Sequence, residues 1–542
     1  MKKKPTQDSL VRGWKTALGV LLTLMVVSLI PPFTVGGVEL RRANIFSDLY
    51  RFEEHREAES EILFDEEEFA VDMEAVSLQV EAVQQQLAVA DTLPHEVPTE
   101  YRWKVTDKEM ARPAVEVDER LFSSRLTPIE DFSDEGLIAA FCDTLIEADR
   151  TVRIAVMGDS FVEGDILTAD LRERLQVAFG GRGTGFAPMA SPLTGFRRSV
   201  KTQSKGWTAY NVMQQKSVPA PYNEQFYVSG WVCRPTDGAS TRWEATSFRK
   251  QLDSCSTARV LFRAPRDSRI QLILNDSLTQ EYRVEGAEKM RQAVVEAEAI
   301  RSLEFKVLTG AAELVGYGAL FESKGVAVDN YSVRSNNGQA LFRTNATINA
   351  EVDAMLGYDL IILQYGLNIM QAGVHRYTSY GAQIEKMIAY CRQCFPNAAV
   401  LVMGVSDRAI KNEKGVETMD AIPYMLDCQR TAAKNQKAAF WSTFDAMQAE
   451  GGIREFVSKG WAGKDFTHIN YGGGRRVAWA LFDAINDEAA KAVERRKRRE
   501  EAAQPVIDSV RHEALALDPM LSLAPVAPAE SDPTILLETA NE

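Results

Sequence analysis

The chain has 542 residues, of which 45% are hydrophobic and 25% charged, and its formal net charge is −14. This length and balance suit a globular protein of more than one domain. An acidic chain lacks the basic face that phosphate recognition requires, so we expect no nucleic-acid partner. Much of the acidity falls between Glu53 and Glu74, close to the N-terminus.

The N-terminus combines a basic start with a long apolar segment. Lys2, Lys3 and Lys4 precede residues 16–38, a run long enough for the roughly 20 residues that cross a bilayer. A signal peptide is the alternative, but no small-x-small cleavage site precedes Glu39, which favours a retained anchor. Because basic residues stay on the cytoplasmic side, we expect residues 1–15 to be cytoplasmic and the chain after the anchor to be periplasmic. The protein is then a single-pass protein of the inner membrane.

Residues 39–128 are acidic and partly helical by pattern, with a helix predicted around residues 80–87. Prolines at positions 94, 98 and 113 interrupt any continuous helix. We interpret this region as a stalk that leads away from the membrane. A partner-binding coiled coil is the alternative, although sustained heptads are absent from the sequence.

Residues 129–187 and 322–490 have the pattern of two halves of one α/β domain. In the first half, a helix capped by Ser133 or Asp134 leads into a strand at residues 152–157, and a helix follows at residues 166–179. Strands that alternate with helices pair in parallel, which predicts a three-layer α/β/α sandwich around a central parallel sheet, as in flavodoxin-like folds. The strands predicted in the second half are residues 325–328, 359–365, 398–405 and 438–441.

Between residues 188 and 321, short runs of alternating apolar and polar residues replace the helical periodicity, as at 225–232, 258–263 and 269–274. Short strands with turn signals predict a β-sandwich inserted into the α/β domain. Core packing is the favoured role of its tryptophans, with stacking on sugar rings as the alternative: Trp207, Trp231 and Trp243.

The C-terminal residues 491–542 begin with the basic run 495–499, which we expect to extend a solvated helix. From about residue 503 the chain is rich in alanine, proline and acidic residues, a composition typical of a disordered tail.

The cysteines give no sign of a metal site. Cys391 and Cys394 form the only Cys-x-x-Cys pair, without a second pair or nearby histidines, so we expect no zinc and assign both to packing at a helix end. Cys233 and Cys255 could form a disulfide in an oxidising compartment, a question that the sequence leaves open.

A serine follows the first predicted strand, in the tripeptide Gly158-Asp159-Ser160. In an open α/β sheet, ligands bind beyond the carboxyl ends of the strands, where this hydroxyl lies. A serine becomes a nucleophile when an imidazole takes its proton and an acceptor orients that imidazole.

Two histidines, His375 and His468, lie in the predicted globular part of the chain. Only His468 has a carboxylate, Asp465, three residues before it, a spacing at which side chains touch. The alternative is that His468 caps the last helix and Asp465 is a solvated loop acid.

A third motif, Gly366-Leu367-Asn368, follows the predicted strand at residues 359–365. An asparagine amide in this place can donate to a developing oxyanion, and losing one such donor costs about 2.7 to 4 kcal/mol of transition-state stabilisation.

In this order, the three motifs resemble the blocks of the SGNH (GDSL) hydrolase superfamily. The resemblance implies that Ser160 is the nucleophile, His468 the general base and Asp465 its orienting partner. It also implies an oxyanion hole formed by Asn368 and the backbone amide of Ser160, with Gly158, Asp159 and Gly366 in support. The second block of the superfamily carries a glycine, for which this chain has Ser335 or Ser332. A backbone donor survives that exchange, but a side chain now occupies the position.

A closer resemblance is to bacterial envelope proteins that include peptidoglycan O-acetylesterases and acetyl-transfer members. It rests on residues 158–165, 171–176, 179–186 and 440–447. It implies that the insertion at residues 188–321 is a jelly-roll-like, carbohydrate-binding module and that the substrate is a glycan of the cell envelope.

These observations lead to three hypotheses. The first is a membrane-anchored, periplasmic serine esterase that needs no cofactor and removes O-acyl groups, above all acetyl groups, from an envelope glycan such as peptidoglycan. The second is an O-acetyltransferase that transfers the acyl group to a sugar hydroxyl. Whether the protein works with a membrane-embedded acyl-transfer partner is a question that the sequence leaves open. The third is a non-catalytic glycan-binding protein of the envelope.

Overall fold

The computed structural model describes residues 15, 33–35, 38–40, 69–90, 97–108, 112, 126–192, 194–413 and 415–517. The strands are, in chain order, β1 (Phe33–Val35), β2 (Val38–Leu40), β3 (Glu100–Lys104), β4 (Glu130–Asp131), β5 (Thr151–Gly158), β6 (Gly185–Pro188), β7 (Val200–Asn211), β8 (Trp231–Ala245), β9 (Cys255–Ala264), β10 (Ser268–Leu274), β11 (Leu278–Val284), β12 (Ala287–Ile300), β13 (Ser302–Thr309), β14 (Val315–Glu322), β15 (Gly325–Ser332), β16 (Leu360–Gln364), β17 (Ala399–Met403), β18 (Ala409–Asn412), β19 (Gly415–Thr418) and β20 (Ala439–Trp441). The α-helices are α1 (Met73–Ala90), α2 (Leu137–Glu147), α3 (Thr168–Phe179), α4 (Ala346–Leu356), α5 (Thr378–Cys394), α6 (Ile422–Asn435), α7 (Thr443–Ala449), α8 (Gly452–Ser458) and α9 (Tyr471–Leu517).

The chain divides into two units, residues 1–62 with 373–376 and the remainder. In the first unit, β1 and β2 pair as an antiparallel hairpin. This hairpin covers the end of the predicted membrane segment 16–38, so the prediction of a helix is wrong for residues 33–35 and 38. Residues 16–32 lie outside the described part of the chain. Among the residues that are described, no helix is both long enough and apolar enough to cross a membrane.

The second unit contains a mixed α/β fold built on a six-stranded sheet. Strands β15, β5, β16, β17 and β20 lie side by side in that order and pair in parallel, and β4 adds antiparallel to β20. Nearly every residue of these parallel strands is buried, as expected when both faces of a parallel sheet are covered. The predicted parallel pairing is confirmed. At its carboxyl end, β5 places Gly158 between Ser332 of β15 and Gln364 of β16.

The helices of this unit pack in two groups, α2 and α3 with α9, and α4, α5 and α6 with α1. The start of α2 shows how its sequence sets the boundary. The Ser133 hydroxyl accepts a hydrogen bond from Leu137 N–H at 2.7 Å, and Asp131 accepts one from Ile138 N–H at 2.9 Å. Of the two predicted caps, Ser133 therefore satisfies one free N–H group at the start of α2, whereas Asp134 pairs with Lys437.

Two segments of the predicted stalk, α1 and β3, belong to the second unit. Helix α1 forms where a helix was predicted, but Val76, Val80 and Val83 are buried where it packs against α4 and α5. Strand β3 pairs in parallel with β12. The prediction of a free stalk at residues 39–128 is wrong for these two segments, because an apolar stripe at helical spacing needs a surface to cover it.

Residues 188–321 form most of a second, ten-stranded sheet with the order β11, β10, β13, β8, β14, β9, β12 and β3, in which β6 pairs with β14 and β7 with β8. The runs predicted at 258–263 and 269–274 lie in β9 and β10, but most of the run at 225–232 precedes β8 as a loop. Core packing is confirmed for Trp243, which is buried in the core of this sheet, and for Trp207, which packs against that core. Trp231 is also buried.

A buried ion cluster joins the two sheets. Arg153 of β5 pairs with Asp329 of β15 at 3.0 Å and with Glu322 of β14, and Arg259 of β9 pairs with Glu322 at 2.8 Å. Breaking a buried pair leaves an unpaired charge without water, so such a cluster strongly disfavours other arrangements of these four strands.

The last helix is longer than predicted. Helix α9 begins at Tyr471 and continues through the basic run to Leu517, so the prediction of disorder from residue 503 is wrong as far as residue 517. Ion pairs support the helix through its basic run: Arg496 pairs with Glu500 within the helix, and Arg495 and Arg499 pair with Asp143 of α2.

The cysteines are free thiols. Cys391 and Cys394 are both buried at the end of α5, where packing was predicted. Cys233 and Cys255 are also buried and unpaired with each other, so the disulfide that the sequence left open is not formed.

Candidate active site

The turn that carries Ser160 folds back immediately after β5. Gly158 ends the strand, and a Cβ atom there would lie 2.6 Å from Val162 Cγ2 and 3.0 Å from the carbonyl oxygen of Gln364. Only glycine permits this approach. The turn is closed by hydrogen bonds from Val162 N–H to Asp159 O and from Glu163 N–H to Ser160 O, each 3.4 Å. Ser160 is left half-buried at the carboxyl edge of the sheet.

A tight loop brings Asp465 and His468 together. One carboxylate oxygen of Asp465 accepts hydrogen bonds from the backbone N–H groups of Thr467 at 3.1 Å and His468 at 3.2 Å, and the other lies 2.7 Å from His468 Nδ1. Phe466 takes the left-handed conformation with φ 53°, and its carbonyl accepts a hydrogen bond from Ala409 N–H at 3.0 Å. The carboxylate thus fixes both the loop backbone and the ring.

The three predicted side chains form a continuous array. His468 Nε2 lies 3.5 Å from Ser160 Oγ, on the side of the ring opposite Asp465. Partial burial alone would raise the pKa of Asp465, but hydrogen bonds from the His468 ring and two backbone N–H groups lower it below its ordinary value. An ionised carboxylate only accepts, so Nδ1 carries the proton and Nε2 presents a lone pair to Ser160. The 3.5 Å separation is long for a hydrogen bond, as is common for catalytic pairs without substrate.

The backbone N–H groups of Ser160 and Ser335 have no hydrogen-bond partner among the described residues. Ser335 is exposed and holds φ at 57°, a conformation that favours glycine. Ser332, the other residue considered for this block, has its N–H bonded to Asn330 at 3.1 Å. The open amide is therefore that of Ser335, and the structure brings it to the edge where Ser160 lies.

Two contacts hold the segment that contains Ser335 against the turn that carries Ser160, here called the nucleophile turn. Val333 N–H donates to Gly158 O at 2.9 Å. The guanidinium of Arg334 forms an ion pair with the carboxylate of Glu163, with Nε 3.0 and 3.1 Å from its oxygens. Sequence reasoning missed this pair, because the two residues are far apart in the chain.

Asn368 lies between the two blocks. Its side-chain nitrogen donates to Asp159 Oδ2 and to Asn336 O, each at 3.0 Å, so both of its protons are in use. An oxyanion that bound Asn368 would have to displace one of these acceptors. Gly366, at φ 115°, sets the turn that delivers Asn368.

Asp159 is fully buried beneath this turn. Burial raises the pKa of Asp159 to about 7, against the hydrogen bonds from Phe161 N–H and Asn368 and the attraction of His468. The carboxyl group of Asp159 therefore changes its charge near neutral pH. This group is one of the two acceptors that hold the side chain of Asn368.

Tyr471 is a further residue of the site that sequence reasoning passed over. Its hydroxyl lies 2.6 Å from Gly164 O in the nucleophile turn and 3.0 Å from Phe196 O in the insertion. The Arg198 guanidinium lies 4.4 Å from the centre of its ring. Tyr471 follows His468 by three residues and begins α9. Its hydrogen bond to Gly164 O therefore links the loop that carries His468 to the nucleophile turn. Its place beside His468 in the sequence was the available signal.

Replacing Tyr471 by phenylalanine removes this link and leaves the ring. One lost hydrogen bond corresponds to about 0.5 to 1.5 kcal/mol, so we expect kcat on a small acetyl ester to fall about two- to tenfold with KM little changed. Steady-state kinetics would measure this. Tyr210→Phe, a substitution in β7, is the matched control. A Tyr471→Phe enzyme with the kcat of the unsubstituted protein contradicts the role.

No protein-family model matches the chain, and no curated protein matches it. Among solved structures, that of a peptidoglycan O-acetylesterase is 21% identical with a TM-score of 0.54, over 67% of this chain and 99% of that one. A family two carbohydrate esterase from Cellvibrio japonicus is 9% identical with a TM-score of 0.22, over 54% and 99% of the two chains. An acetyl xylan esterase is 16% identical with a TM-score of 0.23, over 29% and 81%.

The similarity to the peptidoglycan O-acetylesterase extends over almost all of that protein, and it shows a shared fold. The TM-scores of the other two structures are too low to add to this conclusion. The fold expected from the closer resemblance, to envelope proteins that include peptidoglycan O-acetylesterases, is thereby confirmed.

Proposed function

We propose that the protein is a serine esterase that removes O-acyl groups, in particular acetyl groups, from a glycan of the cell envelope such as peptidoglycan. The observation that carries the proposal is the array of Ser160, His468 and Asp465 beside the open N–H groups of Ser160 and Ser335. A nucleophile, an oriented base and an oxyanion site are the parts that acyl transfer requires.

The reaction runs in two halves. Ser160 Oγ attacks the ester carbonyl while His468 Nε2 takes its proton, and the two N–H groups stabilise the oxyanion. His468 then protonates the departing sugar oxygen, leaving an acyl-serine. In the second half, water gives its proton to His468 and attacks the acyl group, which releases acetate and restores Ser160.

Exposure of the site favours hydrolysis over transfer. The side chains of His468 and Asp465 are 59% and 52% exposed, so water reaches the base directly. A transferase must exclude water from its acyl-enzyme. Hydrolysis also needs no membrane-embedded acyl-transfer partner.

The proposal includes the substrate and the cellular location of the protein. We further propose that the β insertion beside the α/β sheet binds the glycan, that it contains a two-layer sandwich, and that the catalytic sheet has an α/β/α layering. Residues 16–32 supply the apolar run that anchors the chain in the inner membrane, with the catalytic unit in the periplasm.

Acetate release tests the function. Incubated with isolated O-acetylated peptidoglycan, the full chain is expected to release acetate, and faster than from acetylated xylan at equal ester content. Acetate measured enzymatically over time gives the rates. A protein that acetylates an added glycan acceptor instead is a transferase, and one that releases nothing and fails to react with a fluorophosphonate is a binding protein.

A further inference from the structure

A cavity of about 60 Å³ lies beside the nucleophile turn, between the α/β sheet and the β insertion. The α/β side contributes the turn at residues 163–165 and the end of β15 at Asn330 and Ser332. The insertion contributes Thr202 of β7 and Trp231 of β8. Because Ser332 pairs with Gly158, two residues before the nucleophile, the cavity adjoins the site of acyl transfer.

The charges around this cavity are already neutralised. Asp165 pairs with Arg197 at 2.8 Å and with Arg172 at 3.2 Å, and Glu163 pairs with Arg334. Among the residues described by the structure, no unpaired charge lines the cavity. An anion or a cation would therefore enter without a counter-charge, and the lining suits a neutral group.

The lining does offer hydrogen bonds. The hydroxyls of Thr202 and Ser332 and the indole N–H of Trp231 bond to no other residue in the described part of the chain. Each of these groups donates, and the hydroxyls also accept. A cavity of about 60 Å³ has room for about four water molecules, the size of a substituent with about four heavy atoms.

We propose that this cavity is a binding subsite for a neutral, hydrogen-bonding substituent of the sugar ring whose ester Ser160 attacks. A hydroxymethyl group and an acylamino group share this chemistry and fit the size. The subsite rests on the proposed function, because it orients the sugar while the acyl group lies at Ser160. It also gives the insertion a direct part in substrate recognition, through Thr202 and Trp231.

Thr202→Val tests the subsite, since valine keeps the shape and removes the hydroxyl. The quantity measured is kcat/KM for an acetylated oligosaccharide divided by kcat/KM for 4-nitrophenyl acetate, with the full chain. We expect this ratio to fall about three- to tenfold, the effect of one lost hydrogen bond. Thr208→Val, an exposed threonine on the same strand, should leave the ratio unchanged.

Two substrates distinguish which of the two groups, acylamino or hydroxymethyl, occupies the cavity. A fall confined to acetylated chitin oligosaccharides identifies an acylamino group, and a fall on acetylated cello-oligosaccharides as well identifies a hydroxymethyl group. A ratio unchanged on both substrates overturns the subsite.

Failure of the proposed function is distinguishable from failure of the subsite. If the unsubstituted protein does not hydrolyse 4-nitrophenyl acetate, the esterase proposal fails. Calorimetric titration with unacetylated chitin and cello-oligosaccharides then decides the subsite alone: affinity that Thr202→Val weakens about three- to tenfold supports it, and equal affinity or no binding overturns it.

Discussion

Ester hydrolysis is expected to fall by roughly 10⁵- to 10⁶-fold when Ser160 is replaced by alanine, because the substitution removes the only atom that bonds to the acyl group. In the described structure, Ser160 Oγ contacts only His468 Nε2 by hydrogen bond, at 3.5 Å, so its loss leaves the turn intact. Initial rates on 4-nitrophenyl acetate give the activity, and thermal unfolding gives the stability, which we expect to be unchanged.

Covalent labelling provides the second measurement for Ser160. A fluorophosphonate should modify the unsubstituted protein and leave the Ser160→Ala protein unmodified. Ser277→Ala, in the turn between β10 and β11, is the matched control and should retain both labelling and hydrolysis. A Ser160→Ala protein that hydrolyses the ester at the unsubstituted rate contradicts the assignment of the nucleophile.

The side chains of the candidate site were predictable because each signal was local. Gly158-Asp159-Ser160 follows an apolar run, which predicts that Ser160 lies at the end of a strand. Asp465 precedes His468 by three residues, a spacing that by itself brings the two side chains together. The meeting of Ser160 with His468, 308 residues apart, required the resemblance to a known superfamily.

The proposed oxyanion site was harder to predict, because it depends on which groups are already bonded. Sequence could not choose between Ser332 and Ser335, and the choice follows from the hydrogen bond between Ser332 N–H and Asn330. It also could not show that Asn368 spends both amide protons on Asp159 and Asn336. Such pairings arise from tertiary contacts that no short motif encodes.

The fold was predictable where the hydrophobic periodicity is strong. Prediction failed where tertiary contacts decide whether a segment is free or docked. The buried parallel strands have continuous apolar runs, and their pairing followed from their alternation with helices. Helix α1 and strand β3 have the same local patterns whether free or docked, so those patterns do not distinguish a docked segment from a free one. The basic run of α9 is docked by ion pairs with Asp143, which lies more than 300 residues away in the chain.

Asparagine in place of Asp465 is expected to reduce kcat/KM by about 10²- to 10⁴-fold with little change in KM. Asp465 uses one oxygen to accept from the N–H groups of Thr467 and His468 and the other to hold His468 Nδ1. Asparagine has one oxygen and one NH₂ for these two tasks. The rates of 4-nitrophenyl acetate hydrolysis and fluorophosphonate labelling, measured between pH 6 and 9, test the expectation.

Both orientations of the new amide damage the site. If its NH₂ faces the ring, Nδ1 must accept, the proton moves to Nε2, and His468 no longer takes the proton of Ser160. If its oxygen faces the ring, the NH₂ opposes two backbone N–H donors, and the loop loses the bonds that orient His468. Labelling by the fluorophosphonate should therefore slow in parallel with hydrolysis at every pH. Lys464→Gln, an exposed neighbour in the same loop, should leave both rates unchanged. Unchanged hydrolysis in the Asp465→Asn protein contradicts an orienting role. It would show that Asp465 is a solvated loop acid, which can be replaced without loss of activity.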